Sequence, residues 1–243
     1  MLSLLKKEIR GFFSSLTGYI VIILFLAITS LFLWVFPGEM NIMDAGYATL
    51  EPLFFIAPWV FLFLVPAITM RMFAEERKSG TLDLLLTRPL SEMQVILAKY
   101  LASVMVVLLS LIPTLIFFIS VYFLGNPTGN IDSGGTWGSY IGLFFLSAVY
   151  ASIGLFASSF TENQIIAFLV SVVLCFFLYA GFDMLSALPA FHKIQTLVVY
   201  LGVSEHYKSI SRGVIDTTDI IYYLGIIALF LFLTRTVLES RKW

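Results

Sequence analysis

The chain has 243 residues, 60% of them hydrophobic, 16% aromatic and only 12% charged, with a formal net charge of −1 and a mean hydropathy of +0.98. Soluble domains carry roughly 25% charged residues, and a compact domain of this size still exposes much of its side-chain surface, so this much apolar area must face lipid. The net charge is uninformative, no basic tract suggests a nucleic-acid partner, and a single cysteine, Cys175, excludes an intrachain disulfide or a cysteine metal cluster.

Residues 2–16, LSLLKKEIRGFFSSL, place Leu2, Leu5, Ile9, Phe12, Phe13 and Leu16 at three- and four-residue steps, with Lys6, Lys7 and Arg10 off that stripe. The pattern predicts an amphipathic helix over 1–16 lying in the membrane interface, its cations near anionic headgroups. The apolar run from Tyr19 to Phe36 is long enough to remain in the bilayer and lacks a small-residue cleavage site, so it is expected to be retained rather than removed as a signal peptide. A membrane helix needs roughly 20 mainly apolar residues. That criterion is met at about 17–36, 53–71, 100–124, 139–160, 164–182 and 219–238. Pro58 and Pro66 interrupt the second run and Pro113 the third; each removes a helical hydrogen bond and bends the axis, shaping a packing surface or a path.

Between the second and third runs lies AEERKSGTLDLLLTRPLSE, residues 74–92, with seven charges in nineteen residues. Ala74–Lys78 extends the second helix. Gly80 breaks it, and Thr81 is placed to cap a new turn with Asp83 favourable in its first turn. Leu82, Leu85 and Leu86 form one apolar side, Arg88-Pro89 ends the segment, and Ser91 to Gln94 has capping-box spacing for the helix that follows. A two-turn helix is marginal alone. Its leucines call either for the headgroup layer, as part of a positively charged anchor, or for a groove on a cytoplasmic protein.

Further along, Asp132-Ser-Gly-Gly reads as a flexible turn, Cys175 as an inert packed thiol, and His192 and His206, fourteen residues apart, as interface or loop histidines. Cations fix the sides. Lys6, Lys7, Arg10, Arg71, Arg77, Lys78, Arg88, Lys99, Arg235, Arg241 and Lys242 fall on one side of a six-helix arrangement, leaving Lys193, Lys208 and Arg212 on the other. Both termini are therefore expected in the cytoplasm. No phosphate loop, G-x-S-x-G or metal-ligand spacing occurs, and the span interiors lack titratable groups, Asp183 being the nearest. No catalytic residue or metal ligand is expected, no substrate-binding residue stands out, and no inverted repeat of the kind seen in many carriers is visible.

Three stretches carry a resemblance: EERKSGTLDLLLTRPLSEMQVILAKY after the second run, SSFTENQIIAFLVS at 158–171 and SEHYKSISRGVIDTTD at 204–219. Together they resemble type-2 ABC transporter permeases over nearly the whole chain, most closely the permeases associated with bacterial gliding motility. The resemblance implies an all-α membrane protein, one permease domain over 1–243, with an N-terminal interfacial helix, six spans, a cytoplasmic coupling helix within 74–92 and a re-entrant outer segment at 183–218. It implies a multi-pass protein of the bacterial inner membrane, without a nucleotide site of its own, whose ATP and magnesium are bound by partner ABC ATPase subunits. A second permease half, identical or related, a further membrane or periplasmic subunit and membrane lipids complete the expected partners. By position, Glu75, Glu76, Gly80, Thr81, Leu82, Leu85 and Pro89 would form the ATPase-coupling element. The Thr-Glu-Asn junction at 161–163 departs from the pattern by carrying no basic residue. A non-transporting scaffold or force-transducing anchor remains the alternative function.

Overall fold

The computed structural model describes residues 1–81 and 91–240, and among these every regular element is helical. Backbone groups in hydrocarbon have no water to bind, so an apolar run must close its hydrogen bonds along its own axis. Helix α1 (Leu2–Phe13) precedes α2 (Leu16–Ser30), whose last turn widens over Leu31–Val35. A short α3 (Ile42–Ala45) leads to α4 (Glu51–Thr69), which continues past Met70 as α5 (Arg71–Lys78). Helix α6 (Glu92–Leu111) passes through a tight turn at Ile112–Thr114 into α7 (Leu115–Leu124). Next come α8 (Ser133–Phe160) and α9 (Gln164–Phe176), the latter widening over Phe177–Gly181 before α10 (Phe182–Ser186). After a turn at Pro189–Ile194, α11 (Gln195–Tyr200), α12 (Val203–Ser211) and α13 (Thr217–Glu239) complete the order.

Six helical stretches are long and apolar enough to cross a bilayer: Gly18–Val35, Glu51–Lys78, Glu92–Leu124, Ser133–Phe160, Gln164–Ser186 and Thr217–Glu239. Each overlaps one of the expected runs. Two local readings change. Asp132-Ser-Gly-Gly is not a flexible turn: the Asp132 carboxylate accepts the Gly135 N–H at 3.0 Å and caps α8, whose first residue is Ser133. Pro58 and Pro66 do not interrupt α4, which stays helical through both. Pro58 has no N–H for the Phe54 carbonyl four residues back, and the Tyr207 hydroxyl donates to that carbonyl instead, at 2.9 Å. Pro113 does interrupt, at the turn between α6 and α7.

Helix α8 is the axis of the bundle. It is packed by α4, α5, α6, α9, α12 and α13, and 78% of its apolar span is buried against 22% for the first and last spans. Small residues permit this approach, as expected where helices pack in lipid. At Gly154 a Cβ would stand 1.9 Å from Thr69 Oγ1 of α4 and 3.1 Å from Ser171 Oγ of α9. Near its start α8 reaches its neighbours, Ser139 Oγ donating to the Ser211 carbonyl at 3.4 Å and Tyr140 OH standing 3.1 Å from Thr114 Oγ1, but further along its serines do not. Ser147, Ser152, Ser158 and Ser159 each donate to the carbonyl three residues back on their own helix, which satisfies the donor without water.

The antiparallel order gives the bundle two unlike ends. One gathers α1, α5, the start of α6 and the end of α8, through contacts including those of Arg77 with Ser159 and Lys99 with Glu8. The other gathers α12 and the starts of α4, α8 and α13. There Asp216 caps α13 by accepting from Thr218 N–H at 3.0 Å, and these hydrogen bonds hold its carboxyl below the usual carboxylate range.

Candidate functional site

The stretch Glu51–Lys78 has 28 residues, about 42 Å of helix at 1.5 Å per residue, against about 30 Å of hydrocarbon. The last turns, α5, therefore project beyond the apolar layer. They are also where the sequence turns charged. Arg77 and Lys78 in the final turn suit the carbonyl end of a helix dipole. Ser79 N–H donates to Glu75 O at 3.0 Å and Gly80 N–H to Arg77 O at 3.1 Å. Gly80 has φ +67°, the left-handed geometry of a helix stop that only glycine adopts without strain. The expected breaker is thus a helix stop, and the expected restart is a full capping box. Ser91 Oγ accepts from Gln94 N–H at 3.3 Å, and Gln94 Oε1 accepts from Ser91 N–H at 3.1 Å.

Of the residues assigned to the coupling element, Glu75, Glu76, Gly80 and Thr81 fall within the described structure. Leu82, Leu85 and Pro89 lie outside it, as do the amphipathic turns they were expected to form. The Thr81 hydroxyl stands 2.9 Å from Ser79 Oγ and 3.4 Å from Glu76 O, on the α5 side of the stop.

Glu76 is the hinge of a charged cluster that sequence reasoning did not foresee. Its Oε1 lies 3.0 Å from the Lys99 ammonium of α6 and 3.5 Å from that of Lys7. Lys99 also meets Glu8 of α1 at 3.1 Å, and Lys7 meets Glu8 at 3.6 Å. The Lys99 side chain is only 1% exposed, and those of Glu8 and Glu76 are 14% and 15% exposed. Its ammonium sits 5.3 Å from the centre of the Phe73 ring. Lys99 is therefore a buried cross-link between three helices. The second Glu76 oxygen is buried with no hydrogen-bond partner among the described residues, so the cluster leans on Lys99 for its balance.

Further ties flank it. Arg71 donates to Ser15 Oγ at 3.0 Å and lies 5.3 Å from the Phe12 ring centre. Arg77 donates to the Ser159 carbonyl at the end of α8. Helix α5 is fastened to α1, α6 and α8 at once. Between α1 and α5 opens a cavity of about 610 Å³ whose wall includes Lys7, Gly11, Ser15, Arg71, Glu75 and Thr81.

A second polar centre lies at the opposite end. His206, expected in a loop or interface, is buried against α13. Its Nε2 stands 3.0 Å from the Tyr200 carbonyl, which can only accept, so Nε2 carries a proton. Its Nδ1 is 2.7 Å from Asp219 Oδ1, and the ring stacks on Tyr222 at 3.8 Å. With both nitrogens engaged, His206 joins α12 to α13 structurally. Among the described residues no group of His, Cys, Asp and Glu could hold a metal ion. Cys175 is free and buried.

A family model described as ABC-2 family transporter protein matches residues 2–243. No curated protein matches the chain.

Proposed function

The chain belongs to the ABC-2 family of transporter proteins, and from that premise we propose that it couples ATP hydrolysis in cytoplasmic ABC ATPase subunits to export or envelope work through residues 74–92. A multi-pass membrane component of this family has no ATPase of its own and works with an ABC ATPase partner. ATP and magnesium belong to that partner. In this reading the protein sits in the bacterial inner membrane with both termini in the cytoplasm, the side on which eleven of its fourteen Lys and Arg residues fall. It pairs with a second permease half, and its work belongs to gliding motility, the setting of the permeases its motifs resemble most. A further membrane or periplasmic subunit completes the assembly.

The observation that carries the reading is the family match over 2–243. The charged end of the bundle supports the route of coupling. The described residues that flank 82–90 are the Gly80 stop of α5 and the Ser91 capping box of α6. Those two helices are joined by the Glu76–Lys99 ion pair at 3.0 Å. ATP binding would draw the ATPases together and tilt each permease half as a two-state switch of a few kcal/mol. Residues 1–16 serve as the interfacial helix, and 183–218 as the re-entrant outer segment.

The test is purification of the protein from its native membrane, identification of the subunits bound to it, and ATPase assay of the complex. Leu85→Asp and Gly80→Pro should each abolish association or uncouple hydrolysis while the protein remains in the membrane at wild-type abundance. Association and coupling unchanged in both variants would refute the assignment of 74–92. ATPase activity that no candidate substrate stimulates would favour a force-transducing anchor over a transporter.

A further inference from the structure

The cavity between α1 and α5 has a charge pattern that its own side chains leave unfinished. Three of its cations and three of its acids line one wall system: Lys7, Arg71 and Lys99, with Glu8, Glu75 and Glu76. Glu8 and Glu76 are committed to Lys99 and Lys7 at 3.0–3.6 Å. That leaves one of each sign. Arg71 makes its hydrogen bond to the Ser15 hydroxyl and its ring contact to Phe12, and forms no ion pair among the described residues. Glu75 is exposed to the cavity mouth and has no side-chain hydrogen bond or ion pair among the described residues. The two stand four residues apart on one face of α5, about 6 Å along its axis, yet do not bond to each other.

The position of the cavity narrows its occupant. The apolar run of this span ends at Arg71, which would set the cavity at the depth of the headgroups, and one wall is α1, whose Phe12 is buried while Lys6, Lys7 and Arg10 are not. At about 610 Å³ it falls in the range of small-molecule sites, roughly 300–1,000 Å³. A purely anionic headgroup would satisfy Arg71 and be repelled by Glu75. A purely cationic group would meet the reverse. A zwitterion with phosphate at one end and a primary ammonium at the other satisfies both.

We propose that this cavity binds the phosphoethanolamine headgroup of a membrane phospholipid, with phosphate on Arg71 and ammonium on Glu75. The ammonium donates hydrogen bonds to the Glu75 carboxylate; a trimethylated choline has no N–H to give, so the site discriminates by donor chemistry as well as charge. The bound lipid then braces α1 against α5 beside the Lys99 cluster. The inference rests on the described cavity and does not depend on the ATPase assignment.

The experiment uses the full-length protein in detergent, exposed to phosphatidylethanolamine, phosphatidylcholine and phosphatidylglycerol of identical acyl chains, with retained lipid counted by native mass spectrometry. Wild type should retain phosphatidylethanolamine about tenfold over both others, the worth of one charge-assisted hydrogen bond. Glu75→Gln, which disturbs no described side-chain contact, should lower phosphatidylethanolamine to the phosphatidylcholine level. Arg71→Gln should weaken all three. Soluble glycerophosphoethanolamine should compete only at far higher concentration, because it lacks the acyl chains that hold the lipid in place. Equal retention of the three lipids by wild type, or a preference that survives Glu75→Gln, overturns the proposal. Soluble headgroup binding as tightly as the lipid would overturn the lipid as its source.

Discussion

Replacing Lys99 with Met tests whether the charged end of the bundle is held by one buried ammonium. Met keeps most of the stem volume, so the cavity contribution is small and the cost is electrostatic. The Lys99 ammonium stands 3.0 Å from Glu76 and 3.1 Å from Glu8. At an effective dielectric near 20 each contact amounts to about 5 kcal/mol of Coulomb attraction, much of it offset by the desolvation of an ammonium that is 1% exposed. Removing one partner leaves two carboxylates facing one vacated position, with the exposed Lys7 at 3.5–3.6 Å their one remaining cation partner among the described residues. Breaking buried pairs in this way costs about 3–5 kcal/mol. For a chain of this length a kcal/mol moves the midpoint by about 2–4 °C, so thermal unfolding in detergent should fall by on the order of 10 °C. The variant Lys99→Met with Glu8→Gln and Glu76→Gln removes the stranded charge and should recover most of the loss. A midpoint within about 2 °C of wild type in the single variant would refute the reasoning, as would failure of the triple variant to recover.

Two further variants probe the packing that positions this end. Tyr207→Phe deletes the donor to the Phe54 carbonyl that Pro58 leaves unpaired, and should cost about 1 kcal/mol of stability. In a Pro58→Ala background, where residue 58 regains its N–H, the same change should cost less, and a double-mutant cycle by chemical denaturation reads the difference. Gly154→Ala drives a Cβ into Thr69 Oγ1 at 1.9 Å. It should destabilise by about 1–3 kcal/mol as an overpacked core position. Thr69→Ala should relieve part of that loss; thermal shift of the four proteins checks both statements.

What the residues disclosed before the fold was known depended on how local the physics is. The six spans follow from uninterrupted apolar length, which lipid enforces residue by residue, and all six appear in place. The restart at Ser91 was legible because a capping box is closed within four residues. The Gly80 stop was legible for the same reason. The Lys99 cluster was not, because its partners come from residue 8 and residue 76, and a cation beside a span reads equally well as a topological anchor. His206 and Asp219 lie thirteen residues apart across the turn into α13. No periodic pattern spans such a gap. Pro58 misled for a related reason: the sequence shows the hydrogen bond it removes, whereas the replacement arrives from Tyr207, 153 positions from the Phe54 carbonyl it serves.

The division of polar groups between core and rim bears on how a displacement would travel. From Ser147 onward the serine hydroxyls of α8 turn back on their own helix, so packing along that part is by shape, and shape contacts permit small sliding. At the charged rim the bonds cross between helices: Glu76 to Lys99, Glu8 to Lys99, Arg71 to Ser15, Arg77 to Ser159. A rim cross-linked in this way resists separation of α1, α5 and α6 while leaving the group free to tilt over a core that slides. Under the proposed function, a pull on residues 82–90 reaches α5 and α6 together and cannot be absorbed by spreading their ends apart. Lys99→Met would then uncouple more than it destabilises: at a temperature where the variant is still fully folded, substrate-stimulated or permease-stimulated ATPase activity should already be reduced. If stimulation instead tracks the folded fraction alone, the rim is a stability device and carries no motion.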